Sequence, residues 1–195
     1  MQTWTGRFKG RTPYRVATTD LLTPPSLLEA LGALRTNREG EYVLGPHPFD
    51  LDPCTSERQP WPTARTMWTA HEDGMSHVWH GEVWLNPPYG RELYSWLARL
   101  AAHGSGMALL YARTDTQGFR THVLDRADAL YLFTGRLWFH QPVTGAQCPA
   151  NCGGPMCLAI YGSKPLERVQ RLLEADSGYP GVLVPIMRTK KGKKR

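Results

Sequence analysis

The 195-residue chain lacks any apolar run approaching the roughly 18 residues that a membrane-spanning helix needs. Its first residues, MQTWTGRFKGR, carry charge but no apolar stretch behind it, so no signal peptide is expected. There are only four cysteines, with no C-x₂-C pair among them. Without a secretion signal, that usage points to a reducing cytoplasm rather than a disulfide framework. No G-x-S-x-G elbow is present, which removes the commonest serine-nucleophile arrangement. There is no internal repeat, and low complexity is confined to the C-terminal RTKKGKKR. One further absence is local: residues 52–60, DPCTSERQP, contain no glycine.

What is present suits a folded domain. Hydrophobic residues make up 41% and aromatic residues 10%, enough to bury a core in one domain of this length. The formal net charge is +6, which favours an acidic partner, nucleic acid first. Residues 1–20 read as a basic N-terminal arm with Arg7, Lys9, Arg11 and Arg15. Residues 21–187 read as the folded domain, and 188–195, with Lys190 and Lys191, as a disordered, solvated basic tail.

Within the domain, TPPSLLEALGALRT places Leu27, Leu28, Leu31 and Leu34 on one helical face, with Ser26 and Glu29 spaced as a capping box. HPFDLDPC predicts a short strand with Phe49 and Leu51 on one face, stopped by Pro53. VWLNPP predicts a strand ending at Pro87, and RELYSWLARLAAHG a helix ending at Gly104. GMALLYA, DALYLF, RLWFH and PMCLAIYG predict further strands, the second and third joined through Thr134-Gly135, and the apolar GVLVPIM ends the fold. GFRTHVLDRA and KPLERVQRLLEAD predict helices, the latter with Pro165 near its first position. Alternation of strands and helices predicts an α/β fold, a mainly parallel sheet with antiparallel C-terminal strands.

The stretch Asn86-Pro87-Pro88-Tyr89 follows an apolar strand and precedes a helix. The Asn side-chain oxygen and the carbonyl of the next residue are two acceptors that can grip an NH₂ group with two protons to give. Two prolines stiffen the backbone between them. A tyrosine ring can stack on a flat π-system. An amino group conjugated to a ring is a poor nucleophile because its lone pair is delocalised. Two acceptors on its protons favour a pyramidal nitrogen and aim that lone pair. The plainer reading is a turn plugged by a tyrosine, since Asn-Pro opens many turns.

NPPY after a strand resembles the signature of amino-group methyltransferases that use S-adenosylmethionine. LLTPPSLLEAL, FDLDPC, EDGMSHVWHGEVWLNPPYG, YARTDTQGF and LFTGRLWF occur in the order and spacing of the phage-type DNA N6-adenine methyltransferases, a Dam-like family of phages and prophages. The resemblance spans residues 20–161. It implies a single Rossmann-like, S-adenosylmethionine-dependent methyltransferase domain acting on DNA in the cytoplasm of a bacterial host, as a monomer, in protection against restriction. It implies that Asn86 and Pro87 grip the adenine amino group, with Pro88 stiffening the turn and Tyr89 stacking on a base flipped from the helix. It places Asp52, Pro53 and Cys54 beside the methyl donor, in a loop that departs from the family pattern by having no glycine. Thr23 and Pro24 are implied to pack on the donor's methionine part, and Asp73 to accept from its adenine amino group. Arg113 and Arg136 lie in family motifs and join Arg7, Lys9, Arg11, Arg15, Lys190 and Lys191 as candidate nucleic-acid contacts. No metal is implied in the reaction.

Cys148, Cys152 and Cys157 cluster in QCPANCGGPMC. A zinc site completed by His140 or Cys54 is one reading; a buried strand cysteine with an ordinary loop is the other. His77 and His80 lack ligand-spaced partners and read as surface or packing residues. Two alternatives share or abandon the chemistry: methylation of a glutamine amide in protein or of a guanine amino group in RNA, and a catalytically silent nucleic-acid-binding module.

Overall fold

The computed structural model describes residues 21–174 and 177–187. The basic arm and tail, with Arg7, Lys9, Arg11, Arg15, Lys190 and Lys191, lie outside the described residues. The elements in chain order are α1 (Pro25–Ala30), β1 (Leu34–Thr36), β2 (Tyr42–Leu44), β3 (Phe49–Asp52), β4 (Ala64–Met67), β5 (Val83–Leu85) and α2 (Leu93–His103). Then follow β6 (Gly106–Tyr111), α3 (Gln117–Phe119) with a π turn (Arg120–Leu124), β7 (Ala129–Phe133), β8 (Met156–Tyr161), α4 (Ser163–Val169) with a 3₁₀ turn (Gln170–Leu173), and β9 (Gly181–Pro185).

Seven strands form one sheet in the order β4-β3-β5-β6-β8-β7-β9. The first four are mutually parallel. β8 runs antiparallel to both β6 and β7, and β9 antiparallel to β7. The expected α/β class, parallel in its first half and antiparallel towards its C-terminus, is what the chain adopts. β1 and β2 form a separate antiparallel pair. Among the described residues no helix is long and apolar enough to cross a membrane.

Alternation along each strand divides the core between the two faces of the sheet. Phe49, Trp84, Met107, Leu109, Tyr131 and Leu158 pack with Leu27 and Leu28 of α1, with Leu31 just after it, and with Val169 of α4. The alternate residues Val83, Leu85, Ala108, Leu110 and Cys157 pack with Trp96, Leu97 and Leu100 of α2 and with Phe119 and Val123. Leu51 joins this second cluster rather than sharing a face with Phe49 as expected; the Asp50 and Leu51 N–H groups both bond the Glu82 carbonyl, which breaks the alternation of β3. Central strands covered on both faces read as unbroken apolar runs. That is why GMALLY and MCLAIY carry almost no polar residue.

Several local expectations are corrected. α1 stops at Ala30 rather than running through Leu34. Gly32, at φ 73°, takes the left-handed position, and Gly32 N–H and Ala33 N–H donate to the Glu29 and Leu28 carbonyls in a Schellman stop. Leu34 opens a strand instead. The Ser26–Glu29 capping box does not form, because Pro24 occupies the cap position. Ser26 Oγ pairs with Tyr179 Oη at 2.6 Å, and Glu29 accepts from Thr36 Oγ1 at 3.0 Å. The 136–140 segment is extended but joins no ladder; only His140 forms isolated bridges, to Leu22 and Gln147. Pro165 is the third residue of α4, still within the first turn, where its missing N–H leaves no intrahelical bond unmade. The connections β3–β4 and β4–β5 contain no helix.

Candidate functional site

β3 has β4 on one side and β5 on the other, so the chain turns back across β3 after β4. The carboxyl ends of β3 and β5 therefore flank a topological switch point, where open α/β sheets bind ligands. Asp52 ends β3, and Asn86 follows β5 immediately. A third wall comes from Leu21–Thr23, pinned by reciprocal Leu22–His140 backbone bonds of 2.9 and 3.0 Å. Thr23, Asp52, Cys54 and Asn86 line one small open cleft of about 30 Å³, together with Gln59 and Thr63. Three stretches far apart in sequence thus meet in one place.

Asn86 is held by one bond that determines its orientation. Its Nδ2 donates to the Leu21 carbonyl at 2.8 Å. A carbonyl can only accept, so the amide nitrogen must face Leu21. Oδ1 is then left as an acceptor with no hydrogen bond among the described residues. The Asn86 backbone carbonyl takes the Cys54 thiol at 3.4 Å. Pro87 is buried and Pro88 half-buried, which leaves this turn little freedom.

Asp52 is buried at 4% exposure, and its carboxylate is the only charged group among the described residues lining the cleft. Oδ1 accepts from the Cys54 N–H at 3.1 Å; Oδ2 accepts from Thr55 Oγ1 at 2.8 Å and Thr63 Oγ1 at 2.5 Å. Burial pushes the Asp52 carboxyl up, against the pull of these three bonds. A carboxylate offers about four lone-pair positions, so one remains. Burial, then the charge of Asp52, pushes the Cys54 thiol well up, which keeps it from acting as a thiolate nucleophile at neutral pH.

The glycine missing from DPCTSERQP is supplied from across the cleft wall. Gly74 is buried, and a Cβ there would fall 1.9 Å from the Pro53 carbonyl oxygen. The Asp73-Gly74 turn thus presses backbone to backbone on the loop after β3. Asp73 itself is exposed at φ 52° and accepts from Met75 N–H at 3.3 Å. It neighbours the loop but does not line the cleft.

Tyr89 turns inward. Its hydroxyl donates to the Leu109 carbonyl at 3.3 Å, and its ring lies 5.0 Å from that of Tyr111. Burial pushes its phenol well above the ordinary range. Tyr89 is half-buried and packs against the core beside Tyr111. Arg113 sits beyond it, its guanidinium 5.8 Å over the Tyr111 ring. Pro24 and Arg136 line a second, larger groove rather than the cleft.

Residues that sequence reasoning missed are Thr55, Thr63 and Gln59. Gln59 Nε2 is buried at the cleft with no partner among the described residues. The Thr55-Ser56 pair soon after Asp52 was the available signal for Thr55; nothing in the sequence marks Thr63 or Gln59. The cysteines do not assemble. Cys157 packs on one face of the sheet, while Cys148 and Cys152 pack on the other. Among the described residues no group of three or more His, Cys, Asp or Glu is placed to hold a metal.

Comparison with protein-family models, curated proteins and solved structures gives no match for this chain.

Proposed function

We propose that the chain is a DNA methyltransferase that transfers the methyl group of S-adenosylmethionine to the N6 amino group of adenine. The observation that carries this reading is the fixed amide of Asn86. Leu21 ties down its nitrogen, and its oxygen is left as an acceptor beside a stiff Pro-Pro turn at a switch point. That arrangement suits an NH₂ group on a planar system better than it suits a general base, since an amide takes up no proton.

The cleft chemistry fits the methyl donor. The one charged group among its described lining residues is an anion, which suits a cationic ligand, and Asp52 keeps one acceptor position open. Thr23, Thr55 and Thr63 add hydroxyls able to pair with ribose or aminoacyl groups. The orphaned Gln59 Nε2 calls for an acceptor, such as a carboxylate oxygen or ring nitrogen. When bound, S-adenosylmethionine supplies an electrophilic methyl on a sulfonium whose leaving group is a neutral thioether.

The residues of this chain do the rest. Asn86 Oδ1 and the Pro87 carbonyl accept from the two N6 protons, which localises the lone pair and directs it at the methyl carbon. After transfer the nitrogen releases one proton to solvent, since neither acceptor is basic. Extraction of the base from a duplex costs a few kcal/mol, which Tyr89 and backbone-phosphate contacts offset.

The test is methyl incorporation into DNA by purified protein, with modified-base sequencing of DNA from expressing cells. N6-methyladenine is expected in wild type. In Asn86→Ala the rate is expected to fall at least about 100-fold while donor binding by calorimetry changes little. Full activity of that variant, or methyl transfer to protein or RNA instead, overturns the reading.

A further inference from the structure

The larger groove lies next to the cleft, separated from it by one residue and one bridge. Thr23 lines the cleft and Pro24 the groove; Leu22 lines the cleft, and its bridge partner His140 the groove. The groove has a volume of about 370 Å³ and opens to solvent. That is within the ordinary size range of small-ligand sites.

Its walls are aromatic and its charge is of one sign. Residues 136–140 alternate although they join no ladder: Leu137 and Phe139 are buried, Arg136 and Trp138 exposed. Extended backbone puts positions two apart on one side, so a guanidinium and an indole are offered together. Trp138 is 41% exposed. Arg136 has no ion pair among the described residues, and no Asp or Glu is among the described residues lining the groove. The Tyr179 part of the groove is fixed in place. Tyr179 Oη pairs with Ser26 Oγ at 2.6 Å, Tyr131 Oη donates to the Tyr179 carbonyl at 2.6 Å, and Phe133 meets the Tyr179 ring edge-on at 6.2 Å. Aromatic walls with one cation among the described lining residues suit a flat ring attached to an anion.

We propose that this groove binds a nucleotide of the target strand next to the methylated adenine, its base against Trp138 and Tyr179 and its phosphate at Arg136. The proposal rests on the methyltransferase reading for the word target; the slot itself is argued independently of it. Every base has a π-face, so this subsite holds the strand without choosing a sequence, and Gln147 at its edge is the polar side chain able to add a preference.

The test uses the full chain and a fluorescently labelled single-stranded oligodeoxynucleotide of mixed sequence, titrated by anisotropy over a range of salt. Trp138→Ala is expected to weaken binding about tenfold at every salt concentration, with Trp138→Phe restoring most of it. Arg136→Gln is expected to lower the slope of log affinity against log salt by about one. Both side chains are exposed, and circular dichroism checks that the variants fold. Wild-type affinity in Trp138→Ala overturns the proposal. A wild type that methylates DNA while Trp138→Ala keeps its affinity removes the groove and leaves the enzyme. A wild type that transfers no methyl group, yet loses affinity in Trp138→Ala, removes the enzyme and leaves the groove. No oligonucleotide binding by the wild type removes the groove outright.

Discussion

Leu21 contributes only a carbonyl to the cleft, yet that carbonyl decides which end of the Asn86 amide is left to accept. The NPPY stretch was legible in the sequence; the reason its amide faces as it does was not, because Leu21 is 65 positions away. Asp52 was legible as a strand-end carboxylate, whereas Thr63, which donates to it, lies eleven residues on with no periodic relation. The Asp52 carboxyl is raised by burial, so the folded state holds its proton more tightly than the unfolded chain does. Its contribution is complete below the ordinary aspartate pKa of about 4 and is lost as pH rises through the raised value. The urea midpoint gap between wild type and Asp52→Asn is therefore expected to shrink from pH 4 upward, and a widening gap would show that the three hydrogen bonds dominate burial. The cysteines give a second test at this scale. Cys157 is pushed up to about 12 by burial, leaving roughly one part in ten thousand as thiolate at pH 8. Iodoacetamide on the folded protein is expected to spare Cys157 and Cys54, as mass spectrometry of the digested protein would show, while labelling both after denaturation.

Helices and strands were legible where their periodicity was strong and their ends were marked. α2 runs from Leu93 to His103 and stops at Gly104 in the left-handed conformation, as its apolar stripe and terminal glycine predict. α1 was read too long because its apolar spacing continues past Gly32 into a strand. The RLWFH alternation is real but marks a wall, not a ladder, since no strand lies alongside to accept it. β4 and the β1–β2 pair were missed: they are short and largely exposed, so no apolar pattern marks them. What ties these elements together is a buried ion pair. Arg168 of α4 gives Nε and Nη2 to the two carboxylate oxygens of Glu82 at 2.6 Å each, just before β5. Its Nη1 reaches the Leu31 and His47 carbonyls, and its guanidinium lies 4.2 Å over Phe49. Breaking such a pair strands a buried charge, so Arg168→Met is expected to cost about 3–5 kcal/mol by urea denaturation. Adding Glu82→Leu is expected to recover much of that loss; no recovery would mean the two carbonyl contacts matter more than the pair. At the loop after β3, Gly74→Ala meets backbone rather than a flexible side chain. It is expected to abolish donor binding measured by calorimetry; unchanged binding would show that the loop can yield.

For the whole molecule, the sequence made the α/β class and the change from parallel to antiparallel pairing legible, because apolar runs alternate with amphipathic ones until the last strands crowd together. The insertion of β8 between β6 and β7 was not legible. Pairing order among equally apolar strands is decided by how helices and loops cover the two faces, which no single segment encodes. The net charge of +6 is a property at this scale. On the proposed DNA-binding reading, lysines of the 188–195 tail would add counterion release without sequence readout. Deleting 188–195 is expected to weaken DNA binding more at low salt than at high salt, measured by anisotropy. Equal loss at both would assign the tail a non-electrostatic part.

The insertion of β8 also bears on synthesis. β6 lies at the middle of the sheet, yet one of its two neighbours is made of residues 156–161. Until the ribosome has delivered that segment, GMALLY presents an unpaired apolar edge, the kind that joins other chains. The completed sheet therefore forms only after residue 161 has been made. A nascent chain stalled between residues 111 and 156 is the species that holdase chaperones would have to shield.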